Sequence, residues 1–179
     1  MTCIVGIGHE GRVYIGGDSM ATDGTCRMIL AFRKVFRVGD FLIGGAGNVR
    51  MMQVIKYHLE VRAQQDDETD ERYLVVAFAE AVCKCLKDKD FTTLKNAHNH
   101  EEDGAYIVGY RGRVYRFEGD FQIVSIERNV ATCGAGEQYA LGALVALKDL
   151  EPEDRIRRAL EISSELTALS APPFYVEAL

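Results

Sequence analysis

Apolar residues run in short, β-branched stretches through the first part of the chain. TCIVGIGH and GRVYIGGDSMA are separated by a glycine-bearing turn and predict an N-terminal hairpin. KVFRV and FLIGGA, separated by Gly39 and Asp40, predict a second. From Asn48 the period changes. Met52, Ile55 and Leu59 recur at helical spacing, as do Leu74, Phe78, Val82 and Cys85 after the polar stretch DDETDER, which reads as a solvated connection.

The polar segment KNAHNHEEDG leads into AYIVGYRGRVYRFEG, whose alternation about Arg111 and Gly112 predicts a third hairpin, continued by FQIVSI. After the glycine-rich ATCGAGEQYA, the residues Tyr139, Ala143, Leu144 and Leu147 mark one helix. EPEDRIRRALEISSELTAL opens another, with Pro152 near its first turn. FYVEA is a closing strand. Strands therefore come in blocks between pairs of helices. That order predicts an α+β architecture with antiparallel sheets and helices packed outside them, rather than a doubly wound parallel sheet.

Composition fits this picture: 179 residues, 47% hydrophobic and 27% charged, are enough for a core and read as one domain over residues 1–179. A net charge of -6 gives no electrostatic pull toward phosphate backbones or anionic membranes, so neither nucleic acid nor membrane is expected as a partner. No stretch is apolar for long enough to span a bilayer, and the N-terminus lacks the layout of a signal peptide, so the expected location is cytoplasmic. Five cysteines, an odd number, read as reduced thiols.

Gly6 to Gly11 satisfies the spacing GxGxxG, but the following segment RVYIGG is a strand, whereas a dinucleotide site needs a helix N-terminus there. Gly44-Gly45-Ala46-Gly47 does join a strand to a helix. It suits either amides that hold an anion or close packing of strand on helix, and Gly134-Ala135-Gly136 presents the same choice. Cys83 and Cys85 point to different sides of a helix. His98 and His100, with Glu101 and Asp103, have no second ligand cluster of matching spacing, His9 and His58 are isolated, and no nucleophile elbow is present. No metal or organic cofactor is expected.

Thr2 remains. A threonine hydroxyl needs a base, and its own α-amine can serve when the residue is the chain terminus. That amine titrates near ~7.7 to 8.0, against ~10.4 for a lysine, so much of it is neutral at cellular pH. Removal of Met1 would create this arrangement, although many cytosolic proteins lose Met1 before a small residue and make no use of it.

Thr2-Cys-Ile-Val, Gly17-Asp18-Ser-Met-Ala-Thr, Lys34-Val35, Gly44-Gly45-Ala46-Gly47 and Gly134-Ala135-Gly136-Glu-Gln-Tyr139-Ala140 occur in this order along nearly the whole chain. In order and spacing they resemble the proteasome β-subunit and HslV peptidase family of N-terminal nucleophile hydrolases. The resemblance implies a four-layer αββα sandwich, two antiparallel sheets between helical layers, with the site at its mouth. It implies Thr2 as nucleophile and base, Lys34 beside it, Asp18 paired with Lys34, the Gly47 amide as donor to the oxyanion, and Gly45 and Ala46 as small residues leaving room for a substrate side chain. It also implies stacked rings that receive unfolded polypeptide from a separate ATP-driven unfoldase ring, since this chain has no Walker loop of its own.

The chain departs from the pattern at two places. Ala135 stands where the family usually has serine, and a second acidic residue has no clean match; Glu165 is nearest, with Ser163 or Ser164 as substitutes. A catalytically silent ring-forming scaffold and a small-molecule amidase on the same fold are the alternatives to a threonine peptidase.

Overall fold

The computed structural model describes residues 2–89 and 104–179. In chain order the elements are β1 (Ile4–His9), β2 (Arg12–Gly17), β3 (Met20–Thr22), β4 (Arg27–Ile29), β5 (Val35–Val38), β6 (Phe41–Ala46) and α1 (Val49–His58). A helical stretch follows as α2 (Asp70–Tyr73), a π-helical turn over Leu74–Phe78 and α3 (Ala79–Asp88). The remainder is β7 (Ala105–Tyr110), β8 (Arg113–Phe117), β9 (Ile123–Ser125), β10 (Val130–Cys133), α4 (Glu137–Ala146), α5 (Pro152–Leu166) and β11 (Tyr175–Ala178).

One sheet has the strand order β10-β1-β2-β11 and the other β5-β6-β7-β8-β9; every pairing in both is antiparallel. The strand Thr132-containing β10 lies beside the N-terminal strand, with Ile4 opposite Cys133. Three apolar clusters define the layers. Ile4, Ile15, Leu42 and Ile107 pack between the sheets. Met52, Ile55, Phe78 and Leu86 pack between the larger sheet and α1 with α3. Val5, Ala140, Leu144, Ile156 and Leu160 pack between the smaller sheet and α4 with α5. Helix, sheet, sheet and helix give the αββα sandwich implied by the resemblance.

The sheets meet closely because glycines of each face branched apolar side chains of the other. A Cβ on Gly44 would stand 2.5 Å from Ile4 Cγ2 and 2.8 Å from Ile15 Cγ2, contacts that real Cβ atoms do not make. Gly44 thus lets β6 approach β1 and β2 closely.

The structure departs from the sequence expectations at four places. GRVYIGGDSMA is not one strand: it breaks after Gly17, where Asp18 turns its carboxylate inward to accept the Met20 N–H at 3.0 Å. The β3–β4 ribbon and β10 carried no signal, since β4 is exposed at every position and β10 is buried at every position, so neither alternates. FQIVSI yields strand only over Ile123–Ser125, and Phe121 takes a positive φ of 68°. Among the predicted apolar face of α4, Tyr139 is exposed, while Ala140, Ala143 and Leu144 are buried.

Candidate active site

Thr2 is buried two residues before β1, Asp18 immediately after β2 and Lys34 immediately before β5. The two sheets bring these three strand ends together. Lys34 Nζ donates to Thr2 Oγ1 at 3.0 Å and to Asp18 Oδ1 at 2.9 Å, and also to the Met20 carbonyl. The Asp18 carboxylate is in turn held by backbone: Cys3 N–H at 3.0 Å, Met20 N–H at 3.0 Å and Ala171 N–H at 3.3 Å. The carboxylate therefore has a fixed direction before any substrate arrives.

Burial pushes the Lys34 ammonium below the ordinary lysine range, and the Asp18 charge and hydrogen bond oppose that shift. A cation in this position favours removal of the proton from the Thr2 hydroxyl, because the developing negative charge lies within hydrogen-bond reach. The cluster places a hydroxyl oxygen, an adjacent cation and a carboxylate that orients the cation within hydrogen-bond reach of one another.

The backbone of Thr2 is held as well. Its carbonyl accepts the Gly136 N–H at 3.3 Å, while the next amide, Cys3 N–H, goes to Asp18. Gly134 has φ +95°, and a Cβ there would lie 2.4 Å from Thr2 O and 3.1 Å from Ala46 Cβ. The second glycine motif is therefore close packing against Thr2, and Gly134 needs to be glycine both for its φ and for its clearance. The end of β6 sits on the other side, since Gly45 N–H donates to the Lys34 carbonyl at 2.9 Å.

Gly47 follows β6 with φ 116° and is exposed, and Asn48 caps α1 by accepting from Arg50 N–H at 2.8 Å. Ala46 is buried between the sheets. At Gly45 the space a side chain would take is occupied: a Cβ would lie 2.8 Å from Met52 Sδ and 2.9 Å from Tyr106 Cε1.

Glu165 is exposed on α5, and Ser164 Oγ donates to the Glu161 carbonyl of its own helix at 2.8 Å, so neither enters the cluster. Ser163 is the residue turned inward: it is fully buried and donates to the Gly136 carbonyl at 3.1 Å. Ala135 is exposed. Met1 and the histidine-bearing segment with His98, His100, Glu101 and Asp103 lie outside the described residues. Among the described residues no group of three or more His, Cys, Asp or Glu side chains could hold a metal ion.

Sequence reasoning missed the loop after α5. Ala171 supplies an N–H to Asp18, its carbonyl accepts from Ser19 N–H at 3.2 Å, and the neighbouring Ser170 hydroxyl is buried with no hydrogen-bond partner among the described residues. A backbone donor has no side-chain signature, so nothing in the sequence marks Ala171. Arg116 was also missed: it crosses from β8 to donate to the Thr132 carbonyl at 3.2 Å and pairs with Glu137 at 3.1 Å, tying the larger sheet to the turn that holds Thr2.

The sequence matches the family model described as proteasome subunit over residues 1–171. It is 26% identical, over 184 aligned positions covering 99% of this chain and 98% of the other, to the ATP-dependent protease subunit HslV of Caldanaerobacter subterraneus subsp. tengcongensis. The structure superposes on Thiobacillus denitrificans BPH with a TM-score of 0.78 at 17% identity, covering 99% of this chain and 97% of that one. It superposes on eukaryotic HslV from Trypanosoma brucei with a TM-score of 0.70 at 18% identity, covering 99% and 98%. No helix among the described residues is long and apolar enough to cross a membrane.

Proposed function

Because the chain belongs to the proteasome subunit family, we propose that it is a threonine peptidase whose nucleophile is Thr2, exposed as the N-terminal residue by removal of Met1. The observation that carries this reading is the 3.0 Å contact from Lys34 Nζ to Thr2 Oγ1 within the same buried cluster as Asp18. In the proposed cycle the freed α-amine takes the hydroxyl proton and Thr2 Oγ1 attacks the peptide carbonyl. The Gly47 amide, on the strand-to-helix turn, donates to the oxyanion, and the amine returns its proton to the leaving nitrogen. Water then hydrolyses the acyl-enzyme. No metal or organic cofactor takes part.

The proposed substrate is unfolded polypeptide, admitted to a chamber of stacked rings of this chain by a separate ATP-dependent unfoldase, with residues 1–179 acting as one cytoplasmic peptidase domain. The name of the Caldanaerobacter relative, an ATP-dependent protease subunit, supports the ATPase partner. Self-association is supported by α4 and the turn after it, where Tyr139, Leu141, Val145 and Leu150 are each more than two-fifths exposed.

One observation favours a second reading, a silent ring-forming scaffold: Ala135 stands where the resembled family usually has serine. Intact mass of the purified protein decides the first requirement, since retention of Met1 on every chain leaves no free amine on Thr2. Hydrolysis of a mixed fluorogenic peptide panel decides the second. Loss of cleavage by orders of magnitude in Thr2→Ala and Lys34→Ala, with assembly intact, supports the peptidase; equal rates in all three proteins exclude it. Epoxomicin, the ligand in a Thiobacillus denitrificans BPH complex, is a suitable probe of Thr2 in the same assay.

A further inference from the structure

The peptide that joins Thr2 to Cys3 is gripped at both ends. Its N–H goes to Asp18 Oδ1 at 3.0 Å and its carbonyl to the Gly136 N–H at 3.3 Å. The first grip belongs to the cluster of Asp18 and Lys34. The second depends on where the turn Gly134–Gly136 sits, and Ser163 is the side chain behind it. A Cβ on Gly136 would lie 2.1 Å from Ser163 Oγ, 3.0 Å from Cys3 Cβ and 3.2 Å from Cys3 Sγ, so Gly136 is wedged between the residue after the nucleophile and α5.

We infer that Ser163 is a positioning residue for Thr2, acting through its hydrogen bond to the Gly136 carbonyl. This inference rests on the reading of Thr2 as nucleophile. Three observations carry it. Ser163 is fully buried among apolar residues of α5 and α4, where a hydroxyl without a partner is costly, and its partner is the Gly136 carbonyl rather than its own helix. The same residue, through its adjacent peptide unit, carries the Gly136 N–H that binds Thr2 O, so a shift of the turn is a shift of Thr2. Finally, Ala135 has no hydroxyl to offer from the turn itself, so support reaches the turn from α5 instead of from within. Ser163 touches neither Thr2 Oγ1 nor Lys34 in the hydrogen-bond network; its effect is on the direction of the backbone that carries them.

The test uses the full chain in its assembled state. Wild type and Thr2→Ala are assayed first on the peptide panel, which judges the peptidase reading by itself. Ser163→Ala and Ser163→Thr are then compared with wild type for kcat, KM, thermal midpoint and hydrogen–deuterium exchange of the segment 134–140. Loss of one buried hydrogen bond predicts a kcat lower by about tenfold in Ser163→Ala with KM unchanged. It also predicts faster exchange at Gly136 with β1 and β2 exchanging as in wild type, and recovery of most of both in Ser163→Thr. The inference is overturned if Ser163→Ala keeps wild-type kcat and wild-type exchange at the turn, or if kcat in the two variants merely follows their thermal midpoints. If wild type shows no Thr2-dependent cleavage, the peptidase reading fails on its own, and the exchange measurement alone decides whether Ser163 holds the turn.

Discussion

Replacing Lys34 by methionine and Asp18 by alanine removes the two halves of one buried ion pair, yet the structure predicts unequal damage. Both side chains are almost fully buried, at 2% and 0% exposure, and breaking such a pair ordinarily costs about 3–5 kcal/mol. Lys34→Met leaves a carboxylate that still accepts from the N–H groups of Cys3, Met20 and Ala171, so its cost belongs at the low end, about 3 kcal/mol. Asp18→Ala strips the partner from those three amides and from the ammonium together. At about 1–3 kcal/mol for each unpaired buried donor, the three amides alone cost about 3–9 kcal/mol and the ammonium adds to that, even though burial already disposes Lys34 to give up its proton. For a chain of this size, 1 kcal/mol moves the thermal midpoint by about 2–4 °C, so Lys34→Met should melt roughly 6–12 °C below wild type. Asp18→Ala should melt lower still. Midpoints are compared at equal protomer concentration, because association adds its own stability. Both variants should lose peptide cleavage by about 10²–10⁴-fold. An Asp18→Ala protein that melts at or above Lys34→Met would refute the claim that backbone amides, rather than Lys34, chiefly hold the carboxylate.

Gly134→Ala should cost both stability and activity, because the new Cβ must enter a space 2.4 Å from Thr2 O at φ +95°; a circular-dichroism melt and the peptide assay check this, and a wild-type kcat would contradict the close packing. Titration with a thiol reagent at pH 8 should modify exposed Cys26 at once and Cys83 more slowly, leaving buried Cys3, Cys85 and Cys133 until denaturant is added. Rapid labelling of Cys3 in the folded protein would show that β1 opens at Thr2. Burial raises the Cys3 thiol from 9.0 to about 11, so its contribution to stability is fully present below pH 9 and is lost as pH rises toward 11. By pH 11 that loss is about 2–3 kcal/mol, which a Cys3→Ala variant should not show when urea midpoints at pH 8 and pH 10.5 are compared.

Much of the fold was legible because burial imposes a period. Val13 and Ile15 on β2, or Met52 and Ile55 on α1, face cores whose direction their spacing announces. Pairing was not legible. That β10 lies beside β1 and β11 beside β2 depends on long connections, and no local pattern records it. The same division runs through the site. Thr2 could be read from its own chemistry and Asp18 and Lys34 only through the family resemblance, and the structure brings the three into one cluster. Ala171 contributes only backbone groups, Arg116 sits in an ordinary alternating strand, and Ser163 differs from half-buried Ser164 by one position, a choice fixed by the phase of α5 against Gly136. Glu165 misled because acidity was sought where the structure supplies backbone amides and a hydroxyl.

The way Thr2 is held bears on maturation. Its hydroxyl is tied to Lys34, its carbonyl to Gly136 and the following amide to Asp18, and each partner stands at the end of a different strand or turn. None of these bonds uses the Thr2 nitrogen. On the proposed reading, removal of Met1 changes the charge and basicity of one nitrogen while these three bonds persist, so folding would assemble the site before it is switched on. A protein kept as the Met1 form should accordingly fold, associate and melt within a few degrees of the processed form, yet cleave nothing. If the Met1 form instead melted far lower or failed to associate, the free amine would be part of the scaffold, and the separation of positioning from chemistry argued here would be wrong.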